Sequence, residues 1–376
     1  MKENNNQLEL DNTNPFDKIG FEEKDVKEVE QQVNNHISSK NTPNVDDNNF
    51  SGEINYNKDT VLHLEKRRKK IVLLRITIMF PFFIVAIFWV YYTCVIGYNK
   101  DDNLVMLIMV TLIAIYIILL IGWFISNLFL KNKITKLNLD YKREIVLNVF
   151  NSVFQNIFYQ PNDGIKETTI ANTCVFPASD NFKSNDYIKA KYKNIGFEFS
   201  DVFMEEENER IITDERTGIT KTEKYYITLF RGQWLILDFN RHFKKSVRII
   251  ENGLRNAMRK NFNIPMKKVE FEDEQFNRIF SVYTLDDYEA FYIVTPTMIN
   301  NIMKLKNKIK NQILFCFIGN KLHIGISNSS DLFELNMLRK INFDIVSEEI
   351  LNEIKLITNF VDLLNMDDDL FKKNNN

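Results

Sequence analysis

Cysteine is scarce in this chain of 376 residues: Cys94, Cys174 and Cys316 are all there is. Three widely spaced thiols give no disulfide framework and agree with a reducing compartment. Histidine is nearly as rare, with His36, His63, His242 and His323, and no two of these share a metal-ligand spacing. There is no Gly-rich phosphate loop followed by Lys, no nucleophile elbow, no Cys-x-x-Cys and no His-Glu-x-x-His. No catalytic residue, metal or cofactor is therefore expected. Acids are plentiful, as in Asp286-Asp287 with Glu289 and in the run 205–209. General acid–base work needs two carboxyls converging in a cleft, and neighbours on a polar loop read as a solvated face. The formal net charge of −2 makes the whole chain neither polyanion nor polycation.

Charge is missing in one more place, and this absence is the informative one. Residues 71–96 hold a single charge, Arg75, at the entrance, and residues 104–130 hold none. At ~1.5 Å per residue, the uncharged 76–96 spans roughly 31 Å, close to a hydrocarbon core of about 30 Å. Neither run has the polar stripe of a surface helix, so both read as membrane spans. The first begins too far along to be a cleavable secretory leader. A short polar turn, Gly97-Tyr98-Asn99-Lys100-Asp101-Asp102-Asn103, makes the pair a hairpin. Lys66, Arg67, Arg68, Lys69 and Lys70 precede the first span, and Lys131, Lys133, Lys136, Lys142 and Arg143 follow the second. By the positive-inside rule both termini are cytoplasmic, and the five-residue block anchors the chain to an anionic inner leaflet.

The remaining chain divides by texture. Residues 1–65 are a polar lead-in, too poor in apolar groups to offset their ordering entropy, with one helix-spaced stretch at Phe21, Val26, Val29, Val33 and Ile37. From 131 to 160 an amphipathic helix leads out of the membrane hairpin of 66–130, with Ile134, Leu137, Tyr141, Ile145, Val149, Val153 and Ile157 on its apolar face. Residues 161–365 mix short strands with helices, which predicts a cytoplasmic α+β domain with mainly antiparallel strands and hairpins. Arg231-Gly232-Gln233 and Gly319-Asn320 are read as hairpin turns, 251–260 and 331–365 as helices, and 271–283 as extended. Asp286 is a helix cap, and residues 205–224 are a polar interruption. The tail from 366 to 376 is acidic.

One local excess stands out. Arg241, Lys244, Lys245, Arg248, Arg255, Arg259, Lys260, Lys267 and Lys268 are opposed by one acid in that interval, Glu251. Next to an anionic leaflet such a cluster would draw lipid headgroups and orient the domain against the membrane. Side chains that merely point outward and solubilise the domain would leave the same trace, and nucleic acid is not expected as a partner.

Several short segments resemble an uncharacterised bacterial membrane family, domain of unknown function 3137. They are the basic-flanked hairpin with its following helix and Ile195-Gly196-Phe197-Glu198-Phe199. Next come Phe230-Arg231-Gly232-Gln233-Trp234 with Asp238-Phe239-Asn240, then Phe276, Phe280 and Val282 ahead of Asp286-Asp287-Tyr288-Glu289-Ala290. Thr295-Pro296-Thr297-Met298 and Gly319-Asn320-Lys321-Leu322-His323-Ile324 complete the set. The resemblance covers roughly residues 66–335 and implies topology and fold; that family has no agreed activity, so no catalytic residue follows from it. The sequence thus points to a multi-pass protein of the inner (plasma) membrane. Its cytoplasmic part would act as a binding or scaffolding module for a protein partner or anionic headgroups. The alternative is a membrane-surface enzyme whose site assembles only in three dimensions, from residues such as Asp238, His242 and His323.

Overall fold

The computed structural model describes residues 57–91, 102–213, 220–254, 257–258, 266–328 and 332–364. The stretch 21–37, the turn at 97–101, Arg255, Arg259, Lys260 and the acidic tail lie outside them. Helix α1 spans Lys58–Tyr91 and carries Pro81 inside it; α2 spans Asp102–Tyr141. Both are long and apolar enough to cross a membrane, and only 6% of the apolar window of each is buried. A core helix of a water-soluble protein would be covered on most sides, and these are bare. Within them the polar side chains turn back on their own backbone. Thr77 Oγ1 donates to the Leu73 carbonyl at 3.0 Å and Ser126 Oγ to that of Gly122 at 2.9 Å.

Beyond α2 the helix widens into a single π-turn, Lys142–Val146, and resumes as α3, Leu147–Val153. The pattern read as helix as far as residue 160 ends sooner: Gln155–Gln160 is strand β1, and Ile157 lies in it. A short helix α4 (Glu167–Ala171) precedes β2 (Asn181–Tyr192) and β3 (Ile195–Thr213). Residues 191–199 alternate in the sequence as a single strand would, yet they form a hairpin. Lys193 and Asn194 form its two-residue turn with φ of 48° and 66°, the mirror-image turn that matches strand twist.

Strand β4, Thr220–Glu251, runs unbroken for 32 residues. It is followed by β5 (Lys267–Val269), α5 (Glu274–Ile279), β6 (Phe280–Thr284), α6 (Asp287–Ile293), α7 (Pro296–Lys308), β7 (Gln312–Ser327) and α8 (Phe343–Leu364). All pairings are antiparallel, in the order β1-β2-β3-β4-β6-β5, with β7 along the other edge of β4. The protein is α+β, as its texture predicts.

Neither glycine read as a hairpin turn is one. Gly232 sits mid-strand in β4, where a Cβ would lie 1.9 Å from the Ile326 carbonyl oxygen; the residue is glycine so that β7 can approach. Gly319, at φ +58°, lies in a bend of β7 opposite a matching irregularity in β4 between Asp238 and Phe243. Past that bend both strands fold back. A Cβ on Gly325 would meet Leu314 Cγ and Trp234 Cζ3 at 3.0 Å each, so the two ends of β7 face each other.

The smaller core fills the space so enclosed, with Trp234, Ile236, Val202, Met204, Leu314 and Cys316 closed off by Val175 and Phe176. The larger core lies on the outer face, where α3 and α8 cover Leu235, Leu237, Ile249 and Phe315 through Phe150, Ile354, Ile357 and Phe360. Asp286 caps α6 as expected, accepting from the Tyr288 amide at 3.0 Å. Thr295 caps α7, with Pro296 at its first position. The stretch read as extended from 271 begins instead with α5, which Asp273 caps, and residues 332–342 are irregular where helix was expected.

Candidate functional site

Three sets of polar contacts clasp the apolar helices to strand β2 and to the irregular segment 332–342. At the π-turn, Lys142 (2% exposed) reaches Asp186 (0%) at 2.7 Å and Glu334 at 2.5 Å. Tyr159 Oη and Asn185 Nδ2 also donate to Asp186, at 2.5 and 2.9 Å. Burial opposes the charge on Lys142, but the Asp186 carboxylate prevails and holds the ammonium above its ordinary range. One turn earlier, Asn138 meets Glu334 at 2.5 Å and accepts from the Leu335 amide at 3.1 Å. On α1, Arg68 grips Glu65 at 2.8 Å and donates to the Met337 carbonyl at 2.7 Å, while Glu65 accepts from the Ile341 amide.

This changes the reading of the basic block. Arg68 is buried, and Arg67 pairs with Asp140 of α2 at 2.6 Å, so two of the five expected anchors hold the protein to itself. Lys66, Lys69 and Lys70 face solvent, with Lys69 at 3.8 Å from Glu65.

A carboxyl beside the clasp titrates near neutrality. Burial, opposed by the Phe333 amide and reinforced by Glu349 and Asp186, pushes Glu353 of α8 from 4.5 up to about 7. The native state therefore binds the proton more readily than the unfolded chain, so stability falls as pH rises from 4.5 through about 7, and the deficit is complete above it. Glu353→Gln is expected to raise stability by about 3 kcal/mol at about pH 8 and to leave it unchanged at about pH 4. Thermal unfolding of the full chain in detergent at the two pH values checks this, and an equal gain at both would sink the assignment.

The basic cluster divides. Lys244, Lys245, Lys267 and Lys268 are exposed. Arg248 is 1% exposed, facing the smaller core, where its Nε donates to the Thr173 carbonyl at 2.5 Å and another nitrogen meets Met266 Sδ. Alternation along β4 turns it inward, so it cannot belong to the surface patch expected of it. The Arg241 side chain, Arg255, Arg259 and Lys260 lie outside the described residues.

Two of the four exposed lysines adjoin a helix whose aromatics charge counting misses. Helix α6 buries Ala290 and Ile293 and turns Tyr288 (87% exposed), Phe291 and Tyr292 outward. The Lys244 amide donates to Glu289 at 3.3 Å and Lys267 pairs with Asp287 at 2.6 Å, which sets these two lysines against α6; Lys268, next to Lys267 on β5, points to the opposite face of the sheet. Helical spacing was the available signal: once Asp286 starts the helix, Tyr288, Phe291 and Tyr292 fall on the side opposite Ala290 and Ile293.

This surface lies at the bend, the end of the sheet remote from the apolar helices. Phe154 touches Phe197, which pairs with Leu237, and the bend follows a few residues on. From Lys131 to Phe154 the helix descends about 35 Å at 1.5 Å per residue.

The residues named for an enzyme site have other duties. His323 Nδ1 accepts from Trp234 Nε1 at 3.2 Å, and burial, aided by Lys321, lowers its pKa to about 3, so the ring is neutral. Asp238 lies 3.6 Å from Lys321, which is closer to Glu198. His242 is exposed beside the bend. Among the described residues, no group of three or more His, Cys, Asp or Glu side chains is placed to hold a metal ion.

Residues 228–366 match the family described as protein of unknown function (DUF3137). No curated protein matches at a significant level. Among solved structures, the crystal structure of the mycobacterial trehalose monomycolate transport factor A, TtfA, is similar over 55% of this chain and 86% of its own. The identity is 9% and the TM-score 0.30, too slight a likeness to transfer fold or function.

Proposed function

We propose that this protein is a membrane-anchored binding module. Helices α1 and α2 cross the bilayer with both chain ends on the cytoplasmic side, and the clasp holds the α+β part rigidly beneath them. The module presents the surface of Tyr288, Phe291, Lys244 and Lys267 to a protein partner. The observation that carries this is the exposure of Tyr288 and Phe291 on a helix against which Lys244 and Lys267 are set. Aromatic anchors ringed by charge are what protein interfaces concentrate, and patches of this kind are rare on surfaces without a partner. Its distance from the apolar helices favours a protein over the headgroups of the same membrane, because electrostatic attraction to a charged surface fades within a Debye length of ~8 Å.

A photo-crosslinker tests this in intact cells. With p-benzoylphenylalanine in place of Tyr288, a dominant protein adduct is expected, lost when Lys244→Glu and Lys267→Glu are combined. The same crosslinker in place of Leu338, which is 91% exposed and belongs to another surface, should give no such adduct. Indistinguishable adducts from the two positions, or none from the first, would count against a binding surface here.

A further inference from the structure

Two of the three cysteines, distant in sequence, meet at one carbonyl. Cys316 Sγ lies 3.9 Å from the Thr173 oxygen, and Cys174 is the next residue along that peptide. With standard backbone dimensions, Cys316 Sγ is then within about 7 Å of the Cys174 Cα. A charge on Cys174 is felt at Cys316, as between neighbours. A disulfide asks the two Cα atoms to stand roughly 4.4–6.8 Å apart. Residues 172–176 are irregular and lie outside the sheet, so they can settle into that range without disturbing the register of β7.

The two thiols live in different surroundings. Cys174 is half-buried, whereas Cys316 is wholly buried in the smaller core. Burial pushes the Cys316 thiol up to about 11, against the opposing charge of Arg248, so at rest it keeps its proton. Cys174 is therefore the thiol that a reagent from solvent meets first. It is also held at φ 49°, a left-handed conformation that residues other than glycine rarely take and that collects at functional positions.

Arg248 supplies a further observation. It stands directly opposite Cys316 in the β4–β7 pair, on the same face of the sheet. Its guanidinium is buried, yet it donates to the Thr173 carbonyl and meets the Met266 thioether, and neither brings a negative charge. A cation buried among neutral partners is costly, and an anionic sulfur beside it offsets that cost. The same charge favours the thiolate that Cys316 must briefly become when it attacks another sulfur.

We propose that Cys174 and Cys316 form a hydroperoxide-reactive pair, in which Cys174 is oxidised first and Cys316 then closes a disulfide onto it. With hydrogen peroxide, the Cys174 sulfur attacks one peroxide oxygen. The O–O bond breaks, an S–O bond forms, and the departing oxygen leaves with the thiol proton as water. The Cys316 sulfur next attacks the sulfenic sulfur of Cys174. The S–S bond forms, the S–O bond breaks, and the leaving hydroxide takes the Cys316 proton as a second water. Two thiols give up two electrons and the peroxide gains them. The link ties the cover of the smaller core to β7, and its reduction by a thiol frees it again.

The full chain in detergent, treated with stoichiometric hydrogen peroxide, tests this. Remaining thiols are alkylated in denaturant and the digest is read by mass spectrometry. The peptide linking Cys174 to Cys316 is expected as the main disulfide, reversed by dithiothreitol. A chain unfolded in urea before the peroxide should lose that preference. In Cys316→Ala, dimedone should trap a sulfenic acid at Cys174; in Cys174→Ala, it should label Cys316 roughly tenfold less. Full alkylation of both thiols in the treated native chain overturns the pair. So does a dominant link through Cys94, or one joining Cys174 of two copies. Dimedone on Cys316 and none on Cys174 overturns the order of the two steps, and the proposal with it.

Discussion

Replacing Lys142 by methionine destabilises the native chain by about 3–5 kcal/mol, the loss expected when one member of a buried ion pair is removed. Asp186 has no route to water: it is fully buried, and its neighbours Tyr159 and Asn185 donate hydrogen bonds without bringing a charge. Glu334 is better placed, with its side chain 42% exposed, and can rehydrate when its partner goes. The orphaned carboxylate therefore accounts for most of the loss. If that account is right, adding Asp186→Leu to Lys142→Met recovers a substantial part of it, because an apolar pair of similar volume removes the buried charge altogether. Thermal unfolding of the full chain in detergent, followed by near-ultraviolet circular dichroism, separates these outcomes. A single variant that unfolds within about 1 kcal/mol of the parent would show that the clasp carries little of the stability.

Gly232→Ala is the second large effect, on the order of 4 kcal/mol or more. A methyl group there would stand 1.9 Å from the Ile326 oxygen and 2.8 Å from the Asn328 nitrogen. Both are backbone atoms, so no rotamer change relieves the overlap; β4 and β7 must part locally. The damage extends further, because Gln233 is bonded to Asn328 and to the buried Asp201 on the next strand. Gly122→Ala is the matched control, since nothing lies within 4 Å of a Cβ at that position. Equal melting of the two variants would mean that β7 does not approach β4 this closely.

The same glycine shows why the sequence was only partly readable. Gly-flanked β-rich runs announce hairpins when the glycine supplies a turn, whereas the hairpin at Lys193-Asn194 turns on two non-glycine residues inside what reads in the sequence as one alternating strand. At 232 and 319 glycine serves close approach and a bend instead, needs that arise from a strand distant in sequence. No local pattern carries that information. The apolar helices were legible because an unbroken apolar run of that length is a one-dimensional signal in composition. The cap at Asp286 was legible because a cap is a local hydrogen bond; the one at Thr295, with Pro296 opening the helix, was not read.

Arg248 was not legible as a core residue. It sits in a run of basic neighbours, and only the alternation of β4 beyond its bend turns it inward. The aromatic surface of α6 was half visible: the cap was read, while the outward face of the seven-residue helix that follows it was not.

The length of β4 has a bearing on how the protein comes apart. Strands β1 to β3 lean on its first half, β5 and β6 on its second, and β7 runs along both. There is consequently no seam across which one portion of the sheet can melt while the other persists. Loss of register anywhere along β4 is felt on both sides of the bend, and the sheet opens as a single cooperative unit.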